Sequence, residues 1–311
     1  MRGGYKPALA VLTSDWHLSD KAPLFRSKEK DWLAVQERFL TQISVLAKSL
    51  GGVPIVCAGD IFDKWNPSPA LINWAMDFVP RCYTVPGQHD LRHHCYEDLH
   101  LTAYWTLVKS GRIIHVKPGI PFPAGKDDKG LILHGFPWGF DLRPCIQPPH
   151  TFGKHVAIVH KYVWVKGCAY PGAPEDAKLS ALRPFLKGYD CAVFGDNHLG
   201  FISNREGECA IANTGTPVRR NSDFREYRPF VAILYNNGTV EKHCLDVSAD
   251  VLLEDKEIVN HIEHGSNLGE FLEQLTGLGD SVVDFAQALR SYSETKNLSS
   301  KARELIEQAL G

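Results

Sequence analysis

Short apolar segments that end in polar residues recur along the first 245 residues of this 311-residue chain. They alternate with two segments whose apolar residues have helical spacing, residues 28–50 and 69–79, and Gly51–Gly52 closes the first. The short apolar segments predict strands, at 8–14, 53–60, 81–87, 131–135, 155–160 and 191–195. Strands that are apolar throughout and separated by helices are typical of a sheet covered on both faces.

The pattern changes to hairpins after residue 200. Residues 201–215 and 228–247 alternate in the manner of antiparallel strands, and Asn236–Asn237–Gly238 is a strong turn sequence. We therefore expect an α/β (α+β) fold with two packed mixed β-sheets flanked by helices, formed by residues 1–247. Residues 248–311 then form a small helical appendage that caps this domain or docks a partner, with predicted helices at 267–277, 280–293 and 299–310.

Composition narrows the class of protein. Hydrophobic residues make up 44% and charged residues 23%, which is typical of a soluble globular protein. The absence of a long apolar run and of a signal peptide predicts a cytoplasmic protein that does not span a membrane. The eight cysteines include no CxxC pair, which argues for reduced thiols and against a structural zinc site. A net charge of −2 means that any nucleic-acid binding depends on a local patch.

Candidate chemistry lies where the predicted strands end. Five strands run into acidic, histidine or amide side chains: Asp15, His17, Asp60, Asp63, Gln88, His89, Asp90, His160, Asp196, Asn197 and His198. Ligand sites of α/β sheets lie beyond the carboxyl ends of the strands, so these residues are expected to converge. Each ending alone is compatible with an ordinary turn, but five in one chain indicate a site. The mixed oxygen and nitrogen donors suit Mn²⁺, Fe²⁺, Zn²⁺ or Mg²⁺, and two such ions would suit phosphoryl chemistry.

The order of these motifs resembles that of the calcineurin-like metallophosphoesterases. The chain has DWHL at 15–18, GDIFD at 59–63, GQHD at 87–90, an isolated His160 and GDNH at 195–198, and the family has DxH, GDxxD, GNHD, H and GHxH blocks. The resemblance covers residues 8–245 and implies a four-layer sandwich fold. DWHL and GDIFD are most similar to SbcD-type DNA repair nucleases, including their short phage versions.

The resemblance implies a role for each motif residue. One ion would be held by Asp15, His17, Asp60 and His198, and a second ion by Asp60 (bridging), Gln88, His160 and Asp196. His89 would be the catalytic histidine that contacts the scissile phosphate or protonates the leaving oxygen. Asp90 would orient His89 and stabilise its charge.

Two positions depart from the family pattern, and a third departs from its SbcD-type version. Gln88 replaces an asparagine and Asp196 replaces a histidine of the family pattern. Asp63 matches the wider family but stands where SbcD-type nucleases frequently have a histidine, which weakens the expectation of strong exonuclease activity. The additional carboxylate lowers the net charge of two divalent ions and their ligands from about +2 to about +1, which favours Mn²⁺, with Mg²⁺ or Fe²⁺ as alternatives, over Zn²⁺. We expect the longer Gln88 to compensate for the shorter Asp196; a weakened second site is the alternative.

Three functions follow from these expectations. The first is a metal-dependent DNA exo- or endonuclease of the SbcD type. The resemblance implies an SMC-like, SbcC-type ATPase as its partner, and the sequence is also compatible with a homodimer. The second is a phosphodiesterase or phosphatase on small molecules such as nucleotides, and the third a catalytically weak scaffold subunit. Three features are candidate DNA contacts. Arg219, Arg220, Arg225 and Arg228 could hold the phosphate backbone, with a solvated loop as the alternative. Arg92, His93 and His94 could line a groove, with a polar helix start as the alternative, and Trp138 and Trp164 could stack on bases, with buried aromatic residues as the alternative.

Overall fold

A computed structural model describes residues 6–124, 130–145 and 153–254. Apart from Tyr170–Ala173 and residue 254, these residues belong to one compact unit comprising Met1–Ala169 and Pro174–Leu253. The predicted helices at 267–277, 280–293 and 299–310 lie outside the described residues. The C-terminal appendage and its boundary at residue 247 therefore stay predictions.

Twelve strands form two six-stranded mixed sheets. In chain order they are β1 Ala8–Thr13, β2 Ile55–Cys57, β3 Cys82–Thr84, β4 Ile113–His115, β5 Phe122–Ala124, β6 Leu131–Phe136, β7 Lys154–His160, β8 Cys191–Gly195, β9 Phe201–Ser203, β10 Ala210–Asn213, β11 Phe230–Tyr235 and β12 Val240–Cys244. The first sheet has the order β12-β11-β1-β2-β3-β4 and the second β5-β6-β7-β8-β10-β9. In the first sheet β1, β2, β3 and β4 are parallel, and β11 pairs antiparallel with β1 and β12. In the second sheet β6, β7, β8 and β10 are parallel, and the edge strands β5 and β9 are antiparallel to their neighbours.

Four α-helices occur among the described residues: α1 Trp32–Ser49, α2 Pro69–Phe78, α3 Ala103–Lys109 and α4 Leu179–Leu182. Side chains cap three of them. The carboxylate of Asp31 accepts from Ala34 N, and the hydroxyls of Ser68 and Thr102 cap α2 and α3 in the same way. These caps satisfy amide groups that the first helical turn leaves without a partner. No helix in this part of the chain has the length and apolar character that a membrane span requires.

The core has three apolar layers. The middle layer lies between the two sheets and contains Leu12, Val56, Ile158 and Val193, among others. A second layer packs α1, α2 and α3 on the first sheet, and a third packs the α4 region on the second sheet. The central strands β1, β2, β7 and β8 contribute to two layers each, which explains why their sequences are apolar throughout.

This architecture confirms the predicted fold class of two packed mixed sheets flanked by helices. It also places the carboxyl ends of β1, β2 and β3 in the first sheet close to those of β7 and β8 in the second, as the contacts described next show.

Candidate metal centre

The predicted ligands lie in turns with unusual backbone conformations. Asp15, His17, Asp60 and Asp196 have φ angles of 53°, 46°, 52° and 82°, in the left-handed region that residues with a side chain rarely occupy. Each such residue costs roughly 1–3 kcal/mol, and strain of this kind concentrates at functional sites because surrounding contacts hold it. Four strained residues at one edge of the fold therefore mark that edge as a candidate site.

Glycines allow these turns to approach one another. A Cβ on Gly87 would lie 2.1 Å from Asp60 Oδ1, and one on Gly59 would lie 2.4 Å from His160 Nδ1. A Cβ on Gly195 would lie 2.3 Å from the Ala58 carbonyl oxygen. These spaces are too short for any side chain, so the glycines of the three motifs are required by contact between neighbouring turns.

One group of metal-binding side chains comprises Asp15, His17 and His198, whose donor atoms lie within 4.8 Å of one another. Nε2 of His17 is 2.9 Å from Nε2 of His198 and 3.6 Å from Oδ2 of Asp60. Burial lowers the pKa of both histidines, so both rings favour the neutral form that binds metal ions.

A second group comprises Asp15, Asp60 and His160. His160 donates from Nδ1 to the Ala58 carbonyl oxygen at 2.5 Å, which fixes the ring and leaves Nε2 facing Oε1 of Gln88 at 2.6 Å. Nε2 of His160 is also 3.4 Å from Asp60 Oδ2. A backbone carbonyl that holds the far nitrogen is the usual way to orient a metal-binding histidine.

Asp60 lies between the two groups. Its Oδ2 is close to His17 on one side and His160 on the other, and it has no hydrogen-bond partner among the described residues. Asp15 Oδ2 likewise has none, although both carboxylates are fully buried. Burial raises the pKa of Asp15 to about 7, whereas His160 and His89 outweigh burial and lower the pKa of Asp60.

Buried carboxylate oxygens without donors are costly unless a cation compensates them. Asp15 Oδ2 and Asp60 Oδ2 lack hydrogen-bond donors in the described part of the chain and lie among imidazole and amide groups that can bind metal ions. This arrangement therefore fits divalent cations. Asp15, His17 and His198 could hold one ion and Gln88 and His160 another, with Asp60 shared between them.

Asp196, which was predicted to bind the second ion, contacts Gln88 and Asp15, and its role as a ligand stays a prediction. Its Oδ1 accepts a 2.9 Å hydrogen bond from Nε2 of Gln88, and its backbone amide donates to Asp15 Oδ1 at 2.8 Å. The Asp196 carboxylate belongs to none of the groups of clustered donors found among the described residues. Asp196 thus turns the Oε1 of Gln88 towards His160, acting through Gln88.

His89 lies beside the first group, with its ring 4.7 Å from that of His17. Its Nδ1 donates to the carbonyl oxygen of Asp63 at 2.9 Å, and its backbone amide donates to Asp60 Oδ1 at 3.0 Å. The tautomer is therefore fixed and Nε2 is available for substrate. Although burial opposes it, the carboxylates of Asp60 and Asp63 raise the pKa of His89 and favour its protonated form.

The predicted role of Asp90, to orient His89 and to stabilise its charge, stays a prediction; its carboxylate is among the groups that raise the pKa of His89. Its carboxylate accepts from the backbone amides of Ile61, Phe62 and Gly87 at 3.0–3.2 Å. No described hydrogen bond joins it to the His89 ring, which the Asp63 carbonyl orients instead. Because the carboxylate is fully used by amide groups, Asp90 ties the Asp60 turn to the Gly87 turn.

Two further residues complete the site. Arg220 donates to Asp63 Oδ1 at 2.7 Å and to the His17 carbonyl oxygen at 2.9 Å, and Asp63 Oδ1 is 3.5 Å from His17 Nδ1. His17, Asp63 and His89 form a third group of clustered donors. The GDxxD spacing pointed to Asp63, but no sequence pattern predicted its pairing with Arg220, which lies 157 residues away.

Residues 10–200 match the model of the calcineurin-like phosphoesterase family, so the chain belongs to that family. Family membership makes it a hydrolase of phosphoester bonds. Its fold is similar to that of the calcineurin-like phosphoesterase YfkN from Bacillus subtilis, with a TM-score of 0.46 and 12% identity over 84% of this chain and 97% of that one. It is also similar to phosphopantetheinyl hydrolase from Mycobacterium tuberculosis, with a TM-score of 0.39 and 15% identity over 77% and 97% of the two chains. No curated protein sequence matches with significant similarity.

Proposed function

We propose that this phosphoesterase is a metal-dependent phosphodiesterase that cleaves DNA, in the manner of SbcD-type nucleases. The observation that carries the proposal is the pair of adjoining donor groups with Asp60 Oδ2 between His17 and His160. A protonatable His89 lies beside them, and a rim of aromatic and basic side chains lies next to His89.

The donor set supports two divalent ions, of which Mn²⁺ fits best. Carboxylate and amide oxygens favour hard ions, and the unpaired Oδ2 of Asp60 lies close to both His17 and His160. Two such ions would supply an activated water and neutralise charge on the phosphate. Mg²⁺ and Fe²⁺ share these preferences, whereas Zn²⁺ suits a set richer in histidine and cysteine.

His89 is suited to donate a proton to the leaving oxygen. The Asp63 carbonyl holds Nδ1, and the nearby carboxylates favour the imidazolium, so Nε2 carries a proton that can be transferred. Arg220 keeps Asp63 in place through its hydrogen bond to Oδ1.

The rim beside His89 favours a nucleic-acid substrate. Trp138 donates from its backbone amide to Pro86, next to the GQHD turn, and its ring lies 5.1 Å from that of His94. The guanidinium of Arg92 lies 5.6 Å from the Trp65 ring. His94, like its neighbour His93, has a left-handed backbone. Partly buried aromatic rings beside arginine are a usual platform for unpaired bases.

The other candidate basic segment is mostly structural. Arg219 pairs with Asp250 and donates to the Arg225 carbonyl oxygen, and Arg225 donates to the Leu253 carbonyl oxygen. Arg228 is exposed, and it stays a candidate for contact with the phosphate backbone. Trp164 is buried against the peptide around Pro174, which supports the alternative of a core aromatic residue.

The test compares Mn²⁺-dependent cleavage of single-stranded DNA, linear duplex DNA and bis-p-nitrophenyl phosphate. His89→Ala should reduce DNA cleavage by about 10²–10⁴-fold. Its effect on the nitrophenyl ester should be smaller, because p-nitrophenolate leaves without a proton. Trp138→Ala should reduce DNA cleavage by about tenfold, because a stacked base contributes about 1–3 kcal/mol, and should leave the small ester unaffected.

Phe185→Ala is the matched control, since Phe185 is a half-exposed aromatic residue of the α4 region. Hydrolysis of the small ester or of nucleotides without DNA cleavage would support a small-molecule phosphodiesterase instead. Bound Mn²⁺ without hydrolysis of any substrate would support the scaffold alternative.

Association with an SbcC-type ATPase, homodimerisation and a cytoplasmic location stay predictions from the sequence. Co-purification of the full chain with an SMC-like ATPase encoded alongside it would test the first of these.

A further inference from the structure

A second cluster of metal-binding side chains lies on the outer face of the second sheet. His134 on β6 and His155 at the start of β7 share this face, and Cys145 reaches them from the segment that follows β6. His155 precedes His160 by five residues on the same strand, or about 17 Å along it. The cluster is therefore separate from the candidate metal centre.

The distances within this cluster suit a tetrahedral ion. His134 Nε2 lies 2.9 Å from His155 Nδ1, and Cys145 Sγ lies 3.4 Å from His155 Nδ1 and 3.8 Å from His134 Nε2. A tetrahedral Zn²⁺ with Zn–N of about 2.0 Å and Zn–S of about 2.3 Å needs N···N of about 3.3 Å and N···S of about 3.6 Å. Only the two nitrogens must separate, by a few tenths of an ångström.

The surrounding backbone fixes the three side chains. His155 is 2% exposed, and its amide donates to Asp190 Oδ2 at 2.8 Å. The Cys145 amide donates to the Lys187 carbonyl oxygen at 2.8 Å. Gly188 approaches so closely that a Cβ there would lie 2.1 Å from the Cys145 carbonyl oxygen. The cysteine is therefore positioned by the packed turn before β8.

The chemistry of the three donors selects the ion. Two imidazoles with one thiol match the borderline-soft preference of Zn²⁺ and disfavour Mg²⁺ and Mn²⁺. Burial lowers the pKa of His134 to about 4 and lowers that of His155, so both rings are neutral at neutral pH. The spacing lacks a CxxC pair, and for this reason the sequence contained no sign of such a site.

We propose that His134, Cys145 and His155 bind one Zn²⁺, with water as fourth ligand, and that the ion ties residue 145 to β6 and β7. Binding replaces the thiol proton: the Cys145 S–H bond breaks, an S–Zn bond forms and the proton leaves to solvent, with no change in oxidation state.

Co²⁺ is a direct probe of this site. Titration of the reduced, metal-stripped protein should give a thiolate-to-cobalt charge-transfer band whose final amplitude corresponds to one thiolate-bound Co²⁺ per chain, and excess Zn²⁺ should remove it. The candidate metal centre has no cysteine among its clustered donors, so it cannot produce this band. Cys145→Ser should abolish the band, whereas Cys244→Ser, at an exposed cysteine of β12, should keep it.

Thermal unfolding in saturating Mn²⁺ gives a second readout. Added Zn²⁺ should raise the Tm of the wild type by several degrees and leave that of Cys145→Ser unchanged. Absence of the band in the wild type, its persistence in Cys145→Ser, or an equal rise in Tm for both proteins would overturn the proposal.

Discussion

The contact between Gln88 and Asp196 couples the two positions at which this chain departs from its family's pattern. Asp196 Oδ1 accepts from Gln88 Nε2 at 2.9 Å, and Oε1 of the same amide faces His160. Gln88→Asn shortens the side chain by about 1.5 Å, which places the amide beyond hydrogen-bond reach of either Asp196 or His160. Asp196→His removes the acceptor that orients the amide.

The expected magnitude follows from the kind of hydrogen bond that is lost. A bond between an amide and a carboxylate contributes about 1.5–3 kcal/mol. This corresponds to a loss of about 10–150-fold in Mn²⁺ affinity for each single variant. Losses of about 10–100-fold are typical when a residue that orients a metal ligand is removed. The double variant restores the asparagine and histidine of the family pattern, and it should recover most of the loss.

The assay is calorimetric titration of Mn²⁺ into metal-stripped wild type, both single variants and the double variant, with hydrolysis of bis-p-nitrophenyl phosphate measured in parallel. Gln42→Asn is the matched control, because it makes the same shortening on the exposed face of α1. Independent and additive losses in the double variant would refute the coupling, since uncoupled residues give additive free energies.

Three further outcomes are expected. Gly87→Ala should abolish Mn²⁺-dependent hydrolysis, because its Cβ would lie 2.1 Å from Asp60 Oδ1. Gly111→Ala should keep activity, because it strains only a left-handed backbone (φ 74°) and meets nothing within 4 Å. Activity in Gly87→Ala would contradict the close contact between the Gly87 and Asp60 turns. Stability should fall as pH decreases from about 6.5 to about 4, because burial lowers the pKa of His115 to about 4 and the unfolded chain binds the proton first. The free energy of unfolding, measured with urea, should fall by up to about 3 kcal/mol over this range. His115→Gln should make the free energy of unfolding less dependent on pH between these values. An unchanged pH dependence in that variant would show that His115 is not responsible. Arg220→Ala should lower the kcat of Mn²⁺-dependent DNA cleavage about tenfold or more, because it removes the hydrogen bond that holds Asp63. A variant with the kcat of the wild type would exclude this positioning role.

The strands, the long helices and the residues at the strand ends could be predicted from the sequence. Apolar strands between helices have only a few ways to pack, and parallel strands place their carboxyl ends at one edge. The predicted strand at 155–160 and helix at 69–79 differ from the observed β7 and α2 by one residue at one end. The convergence of Asp15, Asp60 and His160 follows from this topology.

The hydrogen-bond partners of individual side chains could not be predicted in the same way. Asp90 binds backbone amides, and Asp196 binds Gln88, because these contacts depend on how closely turns from two different sheets approach. The partners of Arg219 and Arg225 could not be predicted from the sequence either. Arg219 and Arg225 fill internal positions because their carbonyl and carboxylate partners lie on segments distant in sequence.

The central prediction is that two metal ions share Asp60. Anomalous diffraction from crystals grown with Mn²⁺ tests that prediction most directly. Two peaks are expected, one bounded by Asp15, His17 and His198 and the other by Gln88 and His160, with Asp60 between them. A single peak, or manganese bound outside these donors, would contradict the shared role of Asp60.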